Sequence, residues 1–399
     1  MTDRLRLVAL LAAITSLGPF AMQSLAPALP VIAADMGVSA ASAQLLLSLS
    51  ILAIGLATLL LGPLSDYFGR RPVALISLLV AALASVAVAL APTIEGAIAA
   101  RFVQAGAAGA GMVLGRAIAR DLYGPVGAAQ VIAQMTAVMV VAPMVAPAIG
   151  GVIAAVAGWR AVFGFTALFA LAVWVWARAA LGESIVERAP SLGLGEILRS
   201  FGAVAGAPAF WAYCLVATGS LSSFLFFVGT APYVAARAYG AGPEVYGLGF
   251  VFVGGGYMAS NLLYARLVGR VRGDTLMLSG LAAAVVSALG VWAAIRLGWS
   301  GLETVFAAAI LNSLAAGLIV PNAMAGAVSA YPARAGAASS LLGFAQFTVA
   351  AGVTQAGAAL AHDSAAPMTL VMAALSGVGL ASYGALRLLS PTRRDDNLL

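Results

Sequence analysis

The sequence predicts an all-α integral membrane protein with twelve transmembrane helices in two bundles of six. Three observations lead there. Of the 399 residues, 63% are hydrophobic and 9% are charged, whereas soluble domains carry about a quarter charged residues. The charges cluster, leaving uncharged runs such as Leu7–Ala34, Met36–Ser65, Val73–Ile94 and Leu122–Gly158, each long enough for the roughly 20 helical residues that cross a bilayer core. The longest polar interruption, Arg178 to Ser200, separates the runs into two sets of six.

In chain order, the expected helices cover 7–33, 42–64, 73–94, 96–119, 127–156, 160–177, 207–234, 245–264, 275–295, 304–329, 337–360 and 366–386. Residues 1–178 then form the first bundle, 179–204 a cytoplasmic linker, and 205–399 the second bundle with a cytoplasmic tail. The first run is too long for the apolar core of a removable signal peptide, and no small-residue cleavage site precedes a soluble domain.

All twenty basic residues are arginine, so orientation follows from counting arginines on each side of the membrane. With the N-terminus in the cytoplasm, sixteen fall inside, including Arg4, Arg6, Arg70, Arg71, Arg116, Arg120, Arg393 and Arg394, three fall outside (Arg160, Arg237 and Arg296), and Arg101 is left within a helix. Both termini are therefore expected in the cytoplasm. Because the arginines are spread through loops as orientation charge, the basic balance implies no nucleic-acid partner.

Few residues could do covalent chemistry. Cys214 is the single cysteine and lies in an apolar run, which excludes a disulfide framework and predicts a buried free thiol. The single histidine, His362, adjoins Asp363 in a short loop, far from Cys214. This supports neither a metal site nor a nucleophile with its base. No P-loop occurs, so no ATP drive is encoded, and no cofactor is expected. Two bundles joined by a charged linker suit a transporter with its site near the membrane midplane.

Three stretches carry the most specific information. In GPLSDYFGRRPV, Gly62 to Val73, a charged reversal joins the second and third helices; Gly69 suits a tight turn, and Arg70 and Arg71 fall on the inner side. In RFVQAGAAGAG, Arg101 interrupts an otherwise uncharged helix with Gln104 one turn on. That arginine either snorkels to the outer surface, six residues past Glu95, or faces a polar cavity or partner. In APMVAPAIGG, Pro143 and Pro147 remove backbone donors while Gly150 and Gly151 remove side chains, which bends the helix and lets a neighbour approach. Gly254, Gly255 and Gly256 in the eighth helix are the expected packing partners. The turn after the eighth helix, YARLVGRVRG, echoes the charged reversal, keeping Gly269 and Arg270 without the aspartate.

Gly62, Leu64, Asp66, Gly69, Arg70 and Arg71 match the G-x-L-x-D-x-x-G-R-[RK] loop of the major facilitator superfamily, which the chain resembles over most of its length. It is most similar to drug:proton antiporters of the Bcr/CflA type, which include chloramphenicol and multidrug exporters. The likeness is strongest from Pro27 to Phe163, and PNAMAGAVSAYPARAGAASSLLGFAQF in the second half shares it. The resemblance implies the major facilitator fold, two pseudo-symmetric six-helix bundles. It implies that Asp66 faces the N-terminus of helix eleven and that Arg70 pairs with Asp121, together a latch that breaks as the bundles rock. It also implies that Arg101 and Gln104 line the cavity, and that Ala142–Gly151 is the antiporter motif, with Ala146 in place of its usual glycine. Phe227, Tyr257, Asn312 and Gln346 are candidates for the second half of the cavity, with ordinary packing equally open for each.

The chain departs from its relatives at SLAPALPVIAADMG, where Gln23 occupies the position of a first-helix aspartate and Leu25 that of a tyrosine. No other acid is expected deep in the membrane; Asp35 and Glu95, at outer ends, and the cytoplasmic Asp121 are the substitutes available for proton coupling. A cavity holding Arg101 without a carboxylate favours neutral or anionic compounds over cations. The expected function is export of small amphipathic compounds across a bacterial inner membrane by a monomer exchanging protons, with a metabolite or sugar exporter as the alternative. An integral-membrane enzyme would need clustered reactive groups, which are absent from the sequence.

Overall fold

The computed structural model describes residues 3–186, 188, 194–329, 331, 334–360 and 362–389. Arg393, Arg394 and the linker residues 187 and 189–193 therefore lie outside the described residues. The structure is all-helical among these residues, with twelve helices long and apolar enough to cross a membrane. The α-helices in chain order are α1 (Asp3–Leu25), α2 (Leu29–Asp35), α3 (Ala40–Phe68), α4 (Arg70–Ala89), α5 (Ile94–Ala157), α6 (Trp159–Ala180), α7 (Leu194–Ala205), α8 (Pro208–Tyr239), α9 (Pro243–Leu267), α10 (Gly273–Arg296), α11 (Leu302–Ser329), α12 (Ala335–Gly357) and α13 (Ala366–Leu389); α1 and α2 make one span, α5 makes two, and α7 makes none.

Local chemistry explains the breaks. The first span is α1 and α2 joined by a 3-10 turn, Ala26–Ala28, because Pro27 and Pro30 withhold the amide donors that an uninterrupted α-helix needs there. Ser39 caps α3 by accepting from the Ser42 amide at 3.1 Å, and Thr93 caps α5 by accepting from the Gly96 amide at 3.3 Å. Spans four and five form the single helix α5, kinked at Gly124, where φ is 63° and ψ is 179°. The polar interruption after span six contains a helix, α7, that the composition concealed.

The chain divides into two compact units, Met1–Gly193 with Gly240–Val251, and Leu194–Tyr239 with Phe252–Leu399. The first unit has a core in which Leu10, Leu11 and Ile14 of α1 meet Leu78 of α4, Leu114 and Ile118 of α5 and Val173 of α6. The second packs Phe210, Cys214 and Val216 of α8 against Met277, Leu281, Ile319, Leu342 and Tyr383. Cys214 is a buried free thiol.

In the first unit, helices approach closely where side chains are missing. A Cβ on Gly111 would collide with the Ile14 carbonyl, and one on Gly150 with the Ser24 carbonyl, so α5 rests on the backbone of α1. The same helix meets the start of α9 reciprocally: Gly151 abuts the Pro243 carbonyl and Gly247 abuts the Pro147 carbonyl. Both strips read Pro-x-x-x-Gly, which places a carbonyl and a gap one turn apart on each helix. This corrects the partner expected from sequence. Gly256 packs on Ile310 of α11, and a Cβ on Gly255 would meet no other helix within 4 Å; the meeting point lies earlier in α9, where the proline carbonyl and the glycine share a face.

Gly111→Ala should destabilise the protein by about 1–3 kcal/mol, because the new methyl forces two backbones apart. Gly255→Ala should be neutral or slightly stabilising, since it meets open space and alanine favours a helix. Thermal melts of the detergent-purified variants test the contrast, which is overturned by equal shifts.

Candidate functional site

The charged reversal between α3 and α4 is built around Arg70. Gly69 ends one helix and starts the next at φ 104°, ψ 149°, a conformation that side chains disfavour. This brings Arg70 back over the end of α3, where only 9% of the residue remains exposed. Its guanidinium pairs with Asp66 at 2.5 Å and with Asp121 of α5 at 3.0 Å, and it donates to the Ser65 hydroxyl at 2.5 Å. The Asp121 side chain is 23% exposed against 45% for Asp66, so its pair with Arg70 is the better shielded from solvent. Asp121 lies three residues before the Gly124 kink, where α5 changes direction.

Two residues after α6 complete this arrangement, and sequence reading missed both. Glu183 accepts from the Arg70 and Arg71 amides at 3.0 and 3.3 Å, placing a carboxylate on the N-terminus of α4. Ser184 donates to Asp121 at 3.1 Å. In return, Arg71 donates to the carbonyls of Leu181 and Arg178 at 2.7 and 3.2 Å, placing a cation on the C-terminal end of α6. Each helix end thus receives the charge that its dipole favours from the partner segment. The available signal was an acid directly after a predicted span, at a spacing that local helix rules do not relate to Arg70.

Arg101 does not snorkel. It is 1% exposed, donates to the Ala21 carbonyl of α1 at 2.9 Å and to the Gln104 amide oxygen, and lies 5.7 Å from the centre of the Phe163 ring. Gln104 in turn donates to the Ser85 hydroxyl of α4. The structure therefore joins Arg101 and Gln104 in a network reaching α1, α4 and α6. Among the described residues no carboxylate pairs with Arg101, and its Nε has no hydrogen-bond partner. Gln23 is 1% exposed, and its side-chain oxygen is also without a partner.

The second-unit candidates are spread along their helices. Asn312, 5% exposed, accepts from Ser223 at 3.1 Å. Phe227 is fully buried, Gln346 is 8% exposed, and the Tyr257 carbonyl receives the Asn261 side chain. In the echoed turn, Gly269 repeats the positive φ of Gly69 at 80°. Asp274, at the start of α10, pairs with Arg387 at 2.5 Å and accepts from Tyr383. As in the first unit, an acid stands at a helix start and an arginine at a helix end, but here each residue belongs to the helix end at which it stands, whereas Glu183 and Arg71 each come from the partner segment.

Asp35, the first substitute for the missing carboxylate, is committed elsewhere. One of its oxygens receives both the Trp159 indole and Arg160, each at 2.8 Å, which holds the end of α2 to the start of α6. Asp35, Glu95 and Arg160 share the lining of a cavity of about 400 Å³. Among the described residues no group of three or more metal-ligating side chains gathers.

The sequence profile described as "Major Facilitator Superfamily" matches residues 11–235. The chain is 28% identical over 389 residues to "Uncharacterized MFS-type transporter YdgK" of Bacillus subtilis, covering 96% of each. It is 29% identical over 380 residues to "Bicyclomycin resistance protein homolog" of Haemophilus influenzae, covering 93% of each. The crystal structure of the human organic anion transporter MFSD10 (TETRAN) matches with a TM-score of 0.70 at 21% identity, covering 97% of this chain and all of that one; this establishes likeness of fold.

Glu183→Gln should cost about 0.3–1 kcal/mol by removing the charge from the α4 terminus, an effect that fades at high salt. Asp121→Asn should cost about 1–3 kcal/mol, since it weakens the shielded partner of Arg70. Because both act around one arginine, the double variant should lose less than the sum. Melting of the purified proteins at low and high salt checks all three values, and additive, salt-independent losses overturn this account of the turn.

Proposed function

Because the chain belongs to the Major Facilitator Superfamily, a family of membrane transporters and not of enzymes, we propose that it exports small amphipathic compounds by alternating access. The proposed protein is a monomeric proton antiporter of the Bcr/CflA-like branch, in a bacterial inner membrane with both termini cytoplasmic. The observation that carries this reading is the reciprocal contact of Pro147 and Gly151 with Pro243 and Gly247. At these four residues backbone rests on backbone with no Cβ between the strips, a small-residue packing that suits close approach and relative movement of two helices. The name of the bicyclomycin resistance relative supports drug export as the direction and class of transport.

The charged turn supplies the matching device on the cytoplasmic side. Asp66 and Arg70 latch the proposed inward end, with Arg70 shared between Asp66 and Asp121. Substrate preference follows from charge. Arg101 brings a buried cation into the first unit with no paired carboxylate among the described residues, and Gln23 is neutral. Such an interior disfavours organic cations and accepts neutral or anionic molecules. Phe227, Tyr257, Asn312 and Gln346 supply apolar and amide surface for the remainder of the compound.

Transport in proteoliposomes with an imposed pH difference tests this reading. Neutral and anionic probes should accumulate against their gradients, and Arg101→Ala should reduce the rate at least about tenfold, equivalent to about 1.4 kcal/mol. Robust transport of a permanent cation, unchanged in Arg101→Ala, overturns the substrate preference. Failure of every pH difference to drive movement overturns antiport. Accumulation of an internal metabolite on gene deletion, with drug tolerance unchanged, favours a metabolite or sugar exporter instead.

A further inference from the structure

His362, the single histidine, has no part in the reading above, yet it is one of the more tightly held polar side chains in the second unit. It lies in the turn between α12 and α13 and is 2% exposed. Its Nε2 is 3.2 Å from the carbonyl oxygen of Gly357, the last residue of α12. Its ring packs on that of Tyr233 in α8, with centroids 5.3 Å apart. Gly357 itself presses against Thr230 and Phe226, so the end of α12, the imidazole and α8 form one packed corner. Arg237 follows Tyr233 by one helical turn, and Asp363 adjoins the histidine.

This seat suits a neutral ring. The tautomer with its proton on Nε2 donates to Gly357 and leaves Nδ1 bare. A second proton would place a full charge among buried groups facing a cation. Burial first, and then Arg237, holds the imidazole below its ordinary value, while the Gly357 carbonyl and Asp363 pull the other way. From the elements packed around the ring, α8 supplies Tyr233 and Arg237, α12 supplies a backbone carbonyl, and the turn supplies Asp363. Among the described residues no further charged group acts on it.

We infer that His362 is an acid-released pin: neutral, it ties the end of α12 to α8; protonated, it leaves its seat and frees the turn that follows. The inference rests on the exporter reading for its role. The arginine count assigns this turn to the exterior, where proton antiport delivers acid, and Gln23 stands at the position where the family resemblance implies a first-helix carboxylate. The sign follows from the lowered value. The pin is fully in place above the free imidazole value of about 6.5 and is lost as pH falls below that through the lowered value.

A single histidine makes the test direct. Tag-free protein labelled with 15N-histidine and held in lipid nanodiscs has one imidazole to titrate. It should titrate below about 6.5 and move upward in Arg237→Gln. Amide exchange in the turn after α12, corrected for its intrinsic pH dependence, should rise at least about tenfold between about pH 7.5 and about pH 5. In His362→Gln it should not respond to pH. Titration at the free value regardless of Arg237→Gln, or an equal rise in both proteins, overturns the pin. In proteoliposomes, external acid should alter the wild-type rate and leave His362→Gln unaffected. An identical pH response in both defeats the pin and leaves the exporter standing; the expected titration and exchange in a protein that moves no probe support the pin and defeat the exporter.

Discussion

The exchange of charges between the ends of α4 and α6 organises the first unit's charged turn. A helix terminus leaves amides or carbonyls without intrahelical partners, and where the chain leaves a membrane those groups must be met within a few residues. Here each terminus is met by the other's side chain: Glu183 sits on the amides that open α4, and Arg71 sits on the carbonyls that close α6. The geometry works only because Gly69 turns the backbone at positive φ, which directs those two amides toward the incoming carboxylate. With Arg71 so occupied, Arg70 is free to turn inward to Asp66 and Asp121. Two adjacent arginines of the same chemistry therefore do different work, one closing a helix and the other bridging two carboxylates.

Within the lipid-facing part of the fold, apolar area does not discriminate protein from lipid, and close packing must supply the specificity that water supplies elsewhere. The glycines of α5 provide it by letting carbonyls of α1 and α9 approach to backbone distance. Prolines at the same strips serve a second purpose. Pro147 and Pro243 each offer a carbonyl to the opposing glycine, and Pro147 removes an amide donor within α5, loosening the helix next to its own contact point. A contact made of such elements resists sideways slippage, because any side chain entering the gap would clash.

How much of this could be read from sequence depended on the range of the interaction. The twelve spans were legible because hydrophobic length is a local property that the bilayer enforces, and the positive φ of Gly69 was legible from the charged turn around it. The kink at Gly124 was legible as the gap between the spans expected at 96–119 and 127–156, although the structure carries the helix through it. The helix α7 was hidden because the charges and prolines around it resemble a loop. Glu183 was counted with the linker because its partners lie 112 and 113 residues away. The environment of Arg101 was similarly out of reach. Two outcomes were open for a lone arginine near a helix end, and the choice was made by Ala21, Gln104 and, through Gln104, Ser85, on three different helices.

The buried arginine raises a question of charge balance that the remaining acids do not resolve. A guanidinium taken from water loses several kcal/mol of solvation, recovered only through hydrogen bonds and opposite charge. Arg101 has the first in part and, among the described residues, no paired carboxylate. Asp35 is bound to Trp159 and Arg160, and Asp121 to Arg70 and Ser184, so neither is free to balance it. A carboxylate beside such a cation would both balance it and take up protons. Gln23 can do neither, and in the proposed exporter the proton-responsive step must be separate from the arginine. His362 meets that requirement by position: it lies in the other unit, at the end of a helix, in a seat whose stability depends on its remaining neutral.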